Sequence, residues 1–267
     1  MSCPDCFRGN VLEGEPTGVI SDIDGAYLAK GSGETSQRAI VLLTDIFGLP
    51  LKNSKLLADN FALHLGCDVW VPDLFAGHPP ATEWQLRMLP EKAGDKISFF
   101  DIIKFIFSIL PSIPPIFRNR SAVVDPRTIS FVKKMQESKK YEKLGAIGYC
   151  LGGGIALRIA PAELFQSIVV AHPSPPTDEQ VKAIKVPVLW ECAEDDMGIK
   201  APRLREIEAI YEGRRGSDDF ADYEIKVYKG TAHGFAARPN LAYPEVKDAF
   251  EKAFQQAVDW FNKTIPV

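Results

Sequence analysis

The stretch Leu144-Gly-Ala-Ile-Gly148-Tyr149-Cys150-Leu151-Gly152-Gly153 decides how the rest of the chain is read. An apolar run enters it and a helical run, Ile155-Ala-Leu-Arg-Ile-Ala160, leaves it. A cysteine with glycine two places to either side, between a strand and a helix, reads as a sharp turn that lifts a nucleophile above the sheet. Glycine is needed because such a turn brings backbone against backbone. The helix beginning under the thiol favours its thiolate, since the N-terminal end of a helix carries partial positive charge. The alternative is a buried structural cysteine in a tight turn.

Outward from this turn, strand-like and helix-like segments alternate. Arg38–Thr44 is a short β-rich run ending in Asp45-Ile46-Phe47-Gly48. Leu57, Ala58, Phe61, Ala62 and Leu65 recur at helical spacing, with Gly66 as the stop. Further strands are expected over 67–71, 144–149, 167–171, 186–191 and 223–228. Val246, Phe250, Ala253, Phe254, Ala257 and Phe261 mark a closing amphipathic helix. Strands that are apolar almost throughout belong to a mainly parallel sheet covered by helices on both faces. The class is α/β, and the 267 residues suit a single domain over 1–267. Residues 84–120 break the alternation, being apolar in the middle and proline-rich at the end. They form either a core helix between strands or a lid inserted in the domain.

Composition narrows the function. A net charge of -4 with scattered Lys and Arg gives no footprint for nucleic acid. No membrane span and no secretory leader are read, and five cysteines without regular spacing suit reduced thiols, so a cytoplasmic protein is expected. Cys3-Pro-Asp-Cys6 lacks the second ligand pair that a closed zinc site requires, and no metal or cofactor is expected.

A nucleophilic thiol needs a base, and the base an orienting acid. Four histidines are present, and His172 and His233 follow Cys150. His233, in Gly230-Thr-Ala-His-Gly-Phe235 after the last strand, is the expected base. His172, ending an earlier strand, is a pocket wall or a structural histidine, with Tyr149 and Phe235 as further pocket candidates. The acid falls within Glu194-Asp195-Asp196, where chemistry alone leaves the choice open. Charge developing on the substrate carbonyl calls for two backbone N–H groups, assigned to Leu151 and Ile46.

These pieces together resemble the dienelactone hydrolase family, an α/β-hydrolase-fold group. The resemblance is carried in order by Asp45-Ile-Phe-Gly48, Val71-Pro-Asp-Leu-Phe75, Gly148-Tyr-Cys-Leu-Gly-Gly153, Ala193-Glu-Asp-Asp196 and His233-Gly-Phe-Ala-Ala-Arg238, and the N-terminal Ser2-Cys-Pro-Asp-Cys-Phe-Arg8 is similar to that of fungal members. It implies a Cys150, His233, Asp196 triad, with Asp196 favoured over Asp195, hydrolysing enol-lactones or related activated esters without a cofactor. It also implies that Asp45 partners the resting thiol, where bacterial members commonly have Glu, and that Arg238 matches an arginine holding a substrate carboxylate. The absence of arginine after Phe75 until Arg87, with the apolar 84–120 segment, points to a larger, greasier small molecule such as a polyketide-derived lactone or ester. An esterase or thioesterase on such substrates, or a non-catalytic ligand-binding protein of the same fold, are the competing readings. A monomer or homodimer is expected.

Overall fold

A computed structural model describes residues 9–32, 37–86, 103, 107, 110–196 and 198–266. Eight strands form one sheet: β1 (Val19–Ile20), β2 (Tyr27–Ala29), β3 (Arg38–Leu43), β4 (Asp68–Val71), β5 (Lys143–Tyr149), β6 (Ser167–Ala171), β7 (Val188–Asp195) and β8 (Tyr223–Ala232). Their spatial order is β1-β2-β4-β3-β5-β6-β7-β8. From β4 to β8 every pairing is parallel, and only β1 and β2 run against their neighbours. This is the α/β-hydrolase architecture, and its parallel part follows from the apolar runs. Every residue of β3 and of β6 is buried, which requires cover on both faces.

The cover comes from α1 (Lys52–Leu65) and α7 (Pro244–Thr264) on one face. On the other lie α3 (Ser121–Lys139), α4 (Leu151–Ile159), α5 (Asp178–Lys182) and α6 (Ala201–Glu212). A short α2 (Ile113–Arg118) precedes α3. Strand alternation divides the core accordingly. Ala39, Val41 and Leu43 of β3 point to the α4 side, while Ile40 and Leu42 meet Phe61 and Phe261 on the other.

The first helix ends at Gly66 with φ +62°, as the sequence suggested. Two differences stand out. The antiparallel β1–β2 hairpin was not anticipated, although its turn, Asp24 at φ 49° and Gly25 at φ 68°, is the Asp-Gly pair that such turns favour. The last two strands run four residues further than their apolar cores, so the loops after them are shorter than expected.

Of the 84–120 segment, most of 87–109 lies outside the described residues, and so does Cys3-Pro-Asp-Cys6. Phe107, Leu110, Ile113 and Phe117 are exposed, Phe117 by 72%. Among the described residues no helix is long and apolar enough to cross a membrane.

Candidate active site

Cys150 sits between β5 and α4 with φ 53° and ψ -113°, a backbone conformation that non-glycine residues rarely hold. Its main chain is held on three sides. The N–H donates to the Ala171 carbonyl (3.0 Å), and the carbonyl accepts from Gly154 and Ser174 (both 3.1 Å). The flanking glycines are explained by close approach. A Cβ on Gly148 would overlap the Gly152 carbonyl, and one on Gly152 would overlap the Leu43 carbonyl at the end of β3. Gly152→Ala is therefore expected to lose about 3 kcal/mol of stability, because the obstacle is backbone and cannot rotate away. Thermal unfolding would show it, and an unchanged midpoint would mean that the elbow has slack.

The same approach of α4 to the end of β3 brings Ile46 and Phe47 into the cluster that packs Cys150. The two amides assigned to a carbonyl oxygen thus belong to adjoining pieces of backbone. Leu151 opens α4, where the first N–H groups have no acceptor within the helix.

The acid and base come together through sheet register. Asp195 of β7 is paired with Ala232 of β8, after a shift in register at Ala193/Asp195. The residues that follow the two strands, Asp196 and His233, therefore emerge side by side. His233 Nδ1 lies 2.9 Å from Asp196 Oδ2, and both side chains are almost completely buried. A carboxylate accepts, so Nδ1 carries the proton and Nε2 is left basic. Asp196 Oδ1 is held by the Gly198 N–H at 2.7 Å. Glu194 and Asp195 are exposed, and Glu194 Oε2 takes the Gly230 N–H at 2.8 Å.

Asp45 and Arg238, given separate roles above, form one buried ion pair through Asp45 Oδ2 and an Arg238 terminal nitrogen. Asp45 Oδ1 accepts the Phe47 N–H at 2.9 Å, and the Arg238 guanidinium lies over the Phe47 ring at 5.1 Å. Arg238 is 1% exposed and its charge is met by Asp45 inside the protein. Asn53 ties this region to residues near the N-terminus. Its side-chain amide donates to the carbonyls of Asn10 (2.8 Å) and Ala237 (3.0 Å), and its oxygen accepts the Leu12 N–H (2.9 Å).

Of the other pocket candidates, Tyr149, His172 and Phe235 gather behind His233. The His172 ring is 4.8 Å from that of His233, 5.9 Å from Phe235 and 6.1 Å from Tyr149. Trp84 and Phe117 lie on the surface.

The sequence reading passed over Glu191, although an acid inside the apolar run Val188-Leu-Trp-Glu-Cys192 was a visible signal. It is 1% exposed, and burial, with the charge of Glu224, pushes its carboxyl well above 4.5. Burial disfavours its charged form in the folded protein, whereas the unfolded chain ionises it above about pH 4.5. Its contribution to stability is thus full below that pH and is lost as pH rises towards the folded value. His172 acts oppositely. Burial first, then His233 and Arg238, lower its pKa well below 6.5, so its contribution is full above that pH and is lost as pH falls towards the folded value. Glu191→Gln should therefore stabilise the protein at pH 8 by on the order of 1 kcal/mol and leave it little changed at pH 4. Urea unfolding at the two pH values tests this, and equal effects at both would refute it.

Among the described residues no three His, Cys, Asp or Glu side chains form a metal-ligand group.

The dienelactone hydrolase family profile matches residues 25–265. The chain belongs to the dienelactone hydrolase family. Hydrolase pyvD of Aspergillus violaceofuscus is 30% identical over 97% of this chain and 95% of its own length. Hydrolase tropI of Talaromyces stipitatus is also 30% identical, over 98% and 96%. The crystal structure of a dienelactone hydrolase from Anabaena variabilis superposes with a TM-score of 0.55 at 17% identity, covering 94% of this chain and 98% of the other. That likeness shows the fold. Family membership makes the protein a hydrolase of the ester or lactone type.

Proposed function

We propose that Cys150 is the nucleophile of this hydrolase, His233 its base and Asp196 the residue that orients His233. The supporting observations are a strained, backbone-clamped cysteine at a helix N-terminus and a buried Asp196–His233 pair. The corner at residues 171–174 connects them, bonding to the Cys150 main chain and setting the His172 ring edge-on to that of His233.

The thiol proton passes to His233 Nε2 as sulfur attacks the lactone or ester carbonyl. The amides of Ile46 and Leu151 receive the negative oxygen. The carbon–oxygen bond then breaks, and the leaving oxygen takes the proton from His233, leaving a thioester on Cys150. Water, deprotonated by the same nitrogen, attacks the thioester and releases the acid and the free thiol. Every step uses groups of this chain, the substrate and water.

The substrate class we favour is an enol-lactone or activated ester larger and less polar than dienelactone. Arg238 is already paired with Asp45, and Trp84, Leu110, Ile113 and Phe117 present apolar surface along the 84–120 segment. That segment is read as an insertion within one hydrolase domain.

Rapid acid quench during turnover of p-nitrophenyl acetate, followed by peptide mass mapping, tests the assignment. An acetyl group on the Cys150 peptide, removable by neutral hydroxylamine, is expected. Acetyl on another side chain would overturn it. A series of enol-lactones of increasing apolar size then tests the substrate class, and preference for the smallest anionic member would refute it.

A further inference from the structure

The corner after β6 touches every part of the site. The Ala171 carbonyl accepts the Cys150 N–H at 3.0 Å, and the Ser174 N–H donates to the Cys150 carbonyl at 3.1 Å. A Cβ on Gly153, in the helix that Leu151 opens, would meet Pro173 at 2.8 Å, so the corner is seated directly against that helix. Between these contacts lies His172. Its N–H donates to the Glu191 carbonyl at 2.7 Å, which ties the corner to the strand leading to Asp196. Its ring meets that of His233 edge-on, with centroids 4.8 Å apart and planes at 62°. The rings of Phe235 and Tyr149 pack with it at 5.9 and 6.1 Å.

Histidine here carries a cost. The side chain is 1% exposed, and neither ring nitrogen has a hydrogen-bond partner among the described residues. Bare buried nitrogens are penalised, so within this fold the imidazole serves as a flat ring rather than as a hydrogen-bonding group. The backbone explains why that ring is histidine's. Its φ is +37°, and outside glycine such values are held several-fold more readily by Asn, Asp and His than by other residues, and least readily by bulky ones. Of the flat rings, histidine's is the one this corner best carries. The bond from Nδ1 to Asp196 fixes one point of the His233 ring, and setting its plane takes a further contact. We propose that His172 is a positioning residue: its ring sets the plane of His233, and its corner holds that plane in register with Cys150. This role presupposes that Cys150 and His233 carry the chemistry, as proposed above. Burial lowers the His172 pKa well below 6.5, so at neutral pH the ring does not repel the imidazolium formed when His233 takes the thiol proton.

The test separates the ring from the backbone. His172→Asn and His172→Gly accept the positive φ and remove the ring, whereas His172→Phe keeps a ring and strains the backbone. Turnover of p-nitrophenyl acetate is measured on protein shown by circular dichroism to be folded at the assay temperature, so lost stability does not enter the rate. The Asn and Gly variants should lose about tenfold or more in kcat with KM little changed, since slight misplacement of a base is costly. His172→Phe should retain more kcat than either, although it unfolds at a lower temperature. The downfield proton NMR signal of the His233 Nδ1–H should shift or broaden in the Asn and Gly variants and move less in the Phe variant. Parent-level kcat in Asn and Gly, an unmoved signal in both, or a Phe variant slower than either would overturn the proposal. His233→Ala in the same assay guards the underlying reading. If it keeps parent turnover, the base is misassigned and the positioning role falls with it. If it abolishes turnover while the Asn and Gly variants match the parent, only the positioning role fails.

Discussion

Cys150→Ala is expected to lower kcat/KM on activated esters and enol-lactones by about 10⁴-fold or more while the fold survives. Removing the nucleophile of a triad typically costs on the order of 10⁴–10⁶, the remainder coming from binding and the oxyanion amides. No second path is evident at this position, since the elbow presents one side chain above α4 and its flanking residues are glycines or point into the core. Alanine tolerates the φ of 53° no worse than cysteine does, and the lost sulfur is a small buried volume. Stability should change by only about 1 kcal/mol. Steady-state kinetics and thermal unfolding on the same preparation separate the two effects. Residual activity above a few per cent of the parent would mean that another group attacks the carbonyl.

The second large effect is on stability. Arg238→Met should cost about 3–5 kcal/mol, because it strands Asp45 as a buried carboxylate 2% exposed. The methionine fills much of the space but offers no positive charge, and Asp45 keeps only the Phe47 N–H. The cation over the Phe47 ring is lost as well. Asp45 immediately precedes Ile46, so activity should fall together with stability as the turn relaxes. Adding Asp45→Asn should restore a good part of the loss, since the stranded charge is the main cause. Urea denaturation of both single variants and the double variant measures the coupling. Strictly additive losses would show that the two side chains act independently.

Much of this was legible from residues alone. The strand, elbow and helix around Cys150 are dictated by local steric demands, and those demands are written as glycines at 148 and 152. The parallel sheet is legible for the same kind of reason, since a strand buried on both faces has no polar alternation to disguise it. The acid was less so. Glu194, Asp195 and Asp196 are chemically alike, and only the register shift opposite β8 decides which one meets His233. The Asp45–Arg238 pair spans 193 positions and follows from no local pattern. Each residue was noticed for a separate reason, and their union depends on how the turn after β3 meets the loop after β8. His172 was visible as a histidine, but its backbone strain and bare nitrogens belong to tertiary structure.

Loops that carry catalytic groups are usually among the first parts of a protein to open, and their amides exchange with solvent quickly. The segment after β8 is stitched differently. Asn53, on a helix of the core, grips the carbonyls of Asn10 and Ala237, and the Asn10 N–H donates to Arg238. With the Ala237 and Arg238 N–H groups donating to the Gly234 carbonyl at 3.0 and 2.8 Å, and their own carbonyls gripped in turn, deuterium uptake there should resemble that of a sheet rather than that of a surface loop. It should rise sharply when the chain is clipped beyond residue 12. In effect, residues 9–12 act as a seat belt for the loop of His233, so the fidelity of the proposed base depends on a segment far from it in sequence.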